Sequence, residues 1–133
     1  MYATGFCSVT LGVARQAVTG TGAWTKGQRF ANIRALFPMY DTPMQCLALK
    51  SSGIAAFRQL DGKAVGVGPK AGTTGTYFPQ IFAILGMTAQ VRFGTSTDMA
   101  NQLNDGVIDA FCFGAGIPVP AFTELDASQQ VTF

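Results

Sequence analysis

Histidine is absent from all 133 residues, and this absence removes more chemistry than any residue present supplies. A serine or cysteine nucleophile has no imidazole to activate it. Only the carboxylates Asp41, Asp61, Asp98, Asp105, Asp109, Glu124 and Asp126 remain as general bases, and most stand where caps and turns are expected. The three cysteines, Cys7, Cys46 and Cys112, are odd in number and lack CxxC spacing, so zinc or haem has almost nothing to bind. No catalytic residue, metal or cofactor is expected. Cys112 lies in the apolar run from Ile108 to Phe113 and is expected to pack as a small hydrophobe, without thiol chemistry.

Charge is equally scarce. Charged residues make up 12% of the chain, and its nine basic residues are scattered rather than gathered into a phosphate-neutralising stripe, which argues against a nucleic-acid partner. No apolar run approaches the roughly 20 residues of a membrane-spanning helix. The segment from Met1 to Phe6 has neither the basic start nor the apolar centre of a secretion signal, so export is expected to need sequence beyond these residues. Hydrophobic residues nevertheless reach 48%, enough for a folded core built on buried sheet. The length suits one domain or a piece of a larger two-domain protein.

What is present is glycine in telling places. From Lys63 to Tyr77 a short buried-strand pattern, Ala64 to Val67, runs into a Gly/Thr-rich turn and then into a helix pattern carrying Tyr77, Phe78, Ile81, Phe82 and Leu85. This is the sequence form of an anion cradle. Glycines allow close backbone approach, threonine hydroxyls add donors, and a helix start offers unpaired N–H groups with a favourable dipole. An acidic small molecule fits such a site; the plainer reading is a strand-to-helix turn that binds nothing.

Strand and helix patterns alternate along the chain. Phe6 to Leu11 and Ile33 to Phe37 read as strands, with a short helix at Gly12 to Val18 stopped by Thr19-Gly20-Thr21-Gly22. Trp24, beside that stop, reads as a packing anchor. Breakers at Pro38, Asp41, Thr42 and Pro43 form a candidate hinge before the extended run Met44 to Leu49. Ile54, Phe57 and Leu60 mark one face of a short helix closed by Asp61-Gly62. Pro79 is expected within the first turn or so of the helix that Gly86 stops, and Ser96 or Thr97 is expected to cap a helix carrying Met99 and Leu103. Gln90 to Phe93 and Ile108 to Phe113 are strands, Pro118 or Pro120 opens a last helix, and Val131 begins another strand.

This order implies βαβ units, a mainly parallel sheet, and helices on both faces. Ligands of such sheets bind beyond the carboxyl ends of the strands. The turns at 68–76 and 114–117 both follow strands and precede helices, so both are expected on that edge and able to converge on one guest. The turn at 19–22 follows a helix and is read as structural.

The blocks Thr19 to Trp24, Ile33 to Tyr40, Ser52-Gly53-Ile54, Leu60 to Gly68 and Leu103 to Ala110 resemble, in order and spacing, those of TAXI-type solute receptors of TRAP transporters. The resemblance implies a type II periplasmic binding protein fold, in which two α/β lobes close on a solute and pass it to membrane permease subunits. It implies an internal fragment, with residues 1–44 a partial lobe I segment and 45–133 the lobe II domain. A periplasmic location, a small carboxylate or amino-acid-like solute, and no enzymatic activity follow from it. The unfinished lobe I strands would invite strand exchange with a second copy.

Carried onto matching positions, the resemblance gives Thr73, Thr74, Gly75 and Thr76 as the helix start receiving a carboxylate. Ala115 and Gly116 form the second cleft turn, with Val9, Thr10 and Tyr40 closing over the guest. The family often has Ser or Glu near the first turn, where this chain has Thr74, Gly75 and Thr76. The alternative is a dinucleotide-binding oxidoreductase domain using Gly66-x-Gly68-x-x-Ala71, although no acidic residue lies between Gly62 and Thr97 to hold a ribose, where only Arg92 suits a 2′-phosphate.

Overall fold

The computed structural model describes residues 9–38, 41–128 and 130–132. The chain divides into two units, Met1–Tyr40 and Asp41–Phe133.

The described part of the first unit contains one α-helix, α1 (Leu11–Thr19), followed by a short 3₁₀ turn at Ala23–Thr25. Gly20 ends α1 in the left-handed conformation at φ 71° and donates back to the Gln16 carbonyl, so the glycine-rich stop is structural as expected. Trp24 sits at the rim, stacked on Phe30 and donating Nε1–H to Gln16 Oε1 at 3.1 Å. The expected strand at 33–37 does not form: Ile33, Leu36 and Phe37 are exposed, and no neighbouring strand among the described residues accepts their backbone groups. Of the expected strand from Phe6 to Leu11, residues 6–8 lie outside the described residues, Val9 and Thr10 are irregular, and Leu11 already belongs to α1.

The second unit is a five-stranded sheet in the order β3-β2-β4-β1-β5, with β1 Met44–Leu49, β2 Ala64–Gly66, β3 Gln90–Arg92, β4 Ala110–Gly114 and β5 Val131–Thr132. β2 pairs in parallel with both β3 and β4, while β1 runs antiparallel to β4 and β5, so only β1 runs against the other four. Three helices complete the unit: α2 (Thr73–Ile84), α3 (Ser96–Asn104) and α4 (Pro120–Ser128).

The period-two alternation of strand side chains separates two cores. Leu47, Phe111 and Val131 point to one face, where Met99 and Leu103 of α3 and Phe122 and Leu125 of α4 cover them. Ala48, Val65, Ala110 and Cys112 point to the other, beneath Phe78 and Phe82 of α2. Each of those two rings is 2% exposed, and burial of each contributes about 1.5–3 kcal/mol. Gly66 lies inside β2, where a β-carbon would stand 2.7 Å from Met99 Sδ and 2.8 Å from Ile108 Cδ1; its absence lets α3 pack closely on the sheet.

Several local expectations shift. The 54–60 segment forms a 3₁₀ turn at Phe57–Leu60 rather than an α-helix, because Gln59 Oε1 takes the N–H groups of Ala55 and Ala56 and holds them outside the helical ladder. Thr95, not Ser96 or Thr97, caps α3, with Asp98 reaching back to the Thr95 N–H in a reciprocal capping box. Pro79 is the seventh residue of α2 rather than part of its first turn, since α2 already begins at Thr73. Pro118 follows a cis peptide and Pro120 opens α4.

Cys112 is not a free small hydrophobe. Cys46 and Cys112 stand opposite each other in the β1–β4 register, with Cα atoms 4.0 Å apart, and form a disulfide. Opposed partners on antiparallel strands bring their β-carbons together, a proximity that spacing along the chain does not reveal. The bond closes a loop across a sequence separation of 66, for which loop entropy gives about 4 kcal/mol of stabilisation. Reduction should therefore lower the thermal midpoint by many degrees, and alkylation of the denatured, unreduced chain should label one thiol. Labelling of three thiols would rule the bond out.

Asp61 accepts from Thr88 N at 2.6 Å and from Thr88 Oγ1 at 2.9 Å, and these bonds hold its carboxyl below the ordinary value of 3.8. Asp98 is lowered in the same direction by Thr95. A depressed carboxylate contributes stability that is complete above its unfolded value and lost as pH falls through its folded one. Asp61→Asn should thus flatten the acid limb by removing stability that is present at neutral pH while changing little well below about pH 4, where the carboxyl is protonated, as read from denaturation midpoints; an unaltered acid limb would show that the Thr88 bonds carry no linkage.

Candidate functional site

β2 and β4 are parallel neighbours, so the turns leaving their carboxyl ends lie on the same edge of the sheet. They meet at Thr74. A β-carbon on Gly68 would lie 2.8 Å from Thr74 Oγ1 and 3.0 Å from the Phe113 ring, and one on Gly114 would lie 3.1 Å from Thr74 Cγ2. Gly68 also has φ 77°, so glycine is required there both for conformation and for space. Two glycines, one from each turn, make room for one threonine.

Thr74 is 2% exposed, yet its hydroxyl has no hydrogen-bond partner among the described residues. As the second residue of α2 it also belongs to the set of free helix-start donors. The N–H groups of Thr73, Thr74 and Gly75 have no carbonyl partner among the described residues, whereas Thr76 N–H already bonds the Gly72 carbonyl at 3.0 Å. The Thr76 hydroxyl bonds the same carbonyl at 2.9 Å, so both of its donors are spent within the turn. No acidic side chain occupies the first turn of α2, which leaves the dipole uncompensated there. Lys70 adds a cation beside this edge, its Nζ 5.9 Å from the centre of the Phe93 ring.

Gly75 has a different role from the one its position suggests. A β-carbon on it would collide with the Pro69 carbonyl oxygen, because the 69–72 loop folds directly onto the start of α2. Its lack of a side chain serves that packing before it serves any guest. In the second turn, Ala115 packs its methyl against the α3–α4 core, so only its backbone is free to face a guest, and Gly116 is half-buried beside it. Val9 and Thr10 belong to the first unit: Val9 is exposed and Thr10 precedes α1 with a buried hydroxyl that has no partner. Tyr40 lies outside the described residues.

The turns at 68–76 and 114–117 contain Gly68, Lys70 and Gly114, but sequence reasoning did not single these out as site residues, and it missed Phe113 altogether. Glycines in two strand-to-helix turns were a visible signal, but their meeting at one threonine depends on the β2–β4 register. A larger cavity, about 410 Å³, opens on the α2 face between Cys46, Ile54, Phe57, Phe78 and Ile81. Its walls are almost wholly apolar and lack the donors that an anion needs. The Gly66-x-Gly68 turn does not follow the dinucleotide arrangement: Gly66 is spent on α3 packing, and a strand running antiparallel to the rest stands within the sheet.

A family model described as the NMT1-like family matches residues 4–133. The chain belongs to the NMT1-like family. Among solved structures, this NMT1-like chain is similar to a periplasmic binding protein from Brucella ovis with glutathione bound, at 18% identity and TM-score 0.52, over 56% of this chain and 24% of that one. It is similar to an ancestral arginine-binding protein bound to arginine, at 16% identity and TM-score 0.56, over 70% and 41%. A glutathione-import structure from Streptococcus mutans matches at 15% identity and TM-score 0.54, over 69% and 39%. No curated protein matches the chain. The fold is that of type II periplasmic binding proteins, and the chain spans less than half the length of these structures.

Gly75→Ala should lower the thermal midpoint of the empty protein by the equivalent of about 1–3 kcal/mol, because the new methyl displaces the Pro69 loop. An unchanged midpoint would mean that the loop yields freely and that the glycine is not a packing requirement.

Proposed function

We propose that this NMT1-like chain is a segment of a solute-binding receptor that captures a small carboxylate or amino-acid-like molecule for a membrane transporter and performs no chemistry on it. The observation that carries the reading is the group of three N–H groups at the start of α2, unbonded among the described residues, beside the threonine Thr74 at the meeting point of two glycine turns. Donors without acceptors, few charges and no histidine suit reversible capture of an anion. The bound glutathione and arginine named for the similar structures are amino-acid-like and carry carboxylates, which supports the class of solute.

The finer assignment, a TAXI-type receptor serving TRAP permease subunits, rests on the order and spacing of the blocks Thr19 to Trp24, Ile33 to Tyr40, Ser52-Gly53-Ile54, Leu60 to Gly68 and Leu103 to Ala110 taken together. On this reading residues 45–133 are essentially lobe II and residues 1–44 a piece of lobe I, while the two compact units divide at Asp41. The Cys46–Cys112 disulfide supports an extracytoplasmic location, since such bonds persist in oxidising compartments.

A solute that binds only the native state raises its stability, by about 2.7 kcal/mol at a hundred times its dissociation constant. Thermal shifts with L-glutamate, L-glutamine and 2-oxoglutarate should therefore be positive, and a dinucleotide should give none. Thr74→Val keeps the shape and removes the hydroxyl. It should weaken the best of these solutes by about 0.5–1.5 kcal/mol without lowering the midpoint of the empty protein. A positive shift from the dinucleotide alone, or undiminished solute binding by the valine variant, would overturn the reading.

A further inference from the structure

The disulfide lies two residues from the glycine that meets Thr74. Cys112 and Gly114 alternate onto one face of β4, the α2 face, and opposite them in the register stand Cys46 and Met44. The bond joins 46 to 112, and the next pair on that face is Met44 with Gly114. Gly114 is enclosed from two sides. A β-carbon there would lie 3.1 Å from Thr74 Cγ2 and 3.6 Å from both Met44 Cγ and Thr42 Cγ2, so the glycine is seated between the threonine and the chain that enters β1.

That seat is weakly held by packing alone. Gly114 brings no side chain to its cross-strand pair, and Met44 is 40% exposed, so the last pair of the β1–β4 ladder adds little to its own stability and is free to fray. A covalent bond two residues back confines that fraying. The stabilisation calculated from loop entropy depends on sequence separation and would be the same for a bond closing an equal loop elsewhere. Its position beside Gly114 adds an effect on the site.

We infer that the Cys46–Cys112 bond is a positioning device for solute capture: it keeps the second glycine turn seated against Thr74, so that the oxidised chain binds its solute more tightly than the reduced chain. The inference rests on the receptor reading given above and adds to it a dependence on redox state. Cys112 is fully buried, whereas Cys46 is half-buried on the wall of the 410 Å³ cavity, so a reductant reaches Cys46 first. A small dithiol attacks Cys46 Sγ and the S–S bond breaks; Cys112 leaves as a thiolate and takes a proton. The second thiol of the reductant then closes its own disulfide and releases Cys46 as a thiol. Two electrons and two protons pass from the dithiol to the pair.

Calorimetric titration with L-glutamate, L-glutamine and 2-oxoglutarate tests the device, using a Cys7→Ser chain so that no third thiol exchanges. Oxidised and dithiothreitol-reduced samples are compared at about 15 °C, near the usual maximum of protein stability, with retention of the fold checked by circular dichroism. The tightest of the three solutes should bind about tenfold more weakly to the reduced chain, within the usual range of coupling between two sites. Linkage supplies an independent readout in dithiothreitol redox buffers. Saturating solute should shift the balance toward the disulfide by the same factor, about 30 mV for this two-electron couple. A bond that only stabilises the fold would move neither quantity while the reduced chain remains folded.

Equal affinities of the two folded forms, or tighter binding by the reduced one, would overturn the device while leaving carboxylate capture standing. Binding of none of the three solutes by the oxidised chain would overturn both. Should the reduced chain not fold, Met44→Ala in the oxidised chain decides: it removes the opposite side of the same seat at an exposed residue, and an unchanged affinity counts against the device.

Discussion

Two hydrogen bonds between Ala64 and Asp109 fix the relation on which the rest of the second unit depends. Asp109 N–H donates to the Ala64 carbonyl at 2.8 Å, and Ala64 N–H donates to Asp109 Oδ2 at 2.8 Å, so the entry of β2 is held on both sides by the residue just before β4. With that register set, Val65 faces Ala110 and Gly66 faces Phe111, and both strands deliver their following turns to the same edge. Slipping the pairing by one residue would turn Phe111 from the α3–α4 core to the α2 face and separate Gly68 from Phe113. The meeting of two glycine turns at Thr74 is therefore a consequence of sheet register, set more than one strand length away from the site.

The same edge shows how a chain with 12% charged residues and no histidine can still present uncompensated donors. Free N–H groups at the start of α2, an unspent threonine hydroxyl and the helix dipole are all neutral or partial-charge devices, fixed in place by packing. None requires a buried arginine or a counter-ion, whose desolvation is costly when the site is empty. The cost moves instead to uncompensated polar atoms. Gln45 Nε2 is buried without a hydrogen-bond partner among the described residues, and stability is lost there that solvent or a guest must restore.

Much of this was legible in the chain because its signals are local. The glycine stops at Gly20, Gly62 and Gly86 all adopt positive φ, and the apolar spacing of α2 and α3 and the alternation along β1 reappear as buried faces. Other features escaped because they depend on partners distant in sequence. An isolated run such as 33–37 reads as a strand by composition, but a strand exists only where another chain segment accepts its hydrogen bonds. The pairing of Cys46 with Cys112 needs the antiparallel β1–β4 register, which alternation alone cannot give, since it leaves strand direction open. Thr95 was passed over as a cap because Ser96 and Thr97 offer the same chemistry one and two residues later; the Asp98 carboxylate three residues on decides among them.

Gly75 illustrates how such a reading must be weighed against packing. Placed between threonines at a helix start, it looks like backbone cleared for a ligand, yet the nearest obstruction to a side chain is the Pro69 carbonyl of its own loop. Gly68 is the more informative glycine, because the atoms that would meet its β-carbon are a threonine hydroxyl and an aromatic ring from the second turn. A glycine bounded by backbone reports how tightly a loop folds. One bounded by an unspent donor reports where a guest can be received, and at this edge of the sheet that donor belongs to Thr74.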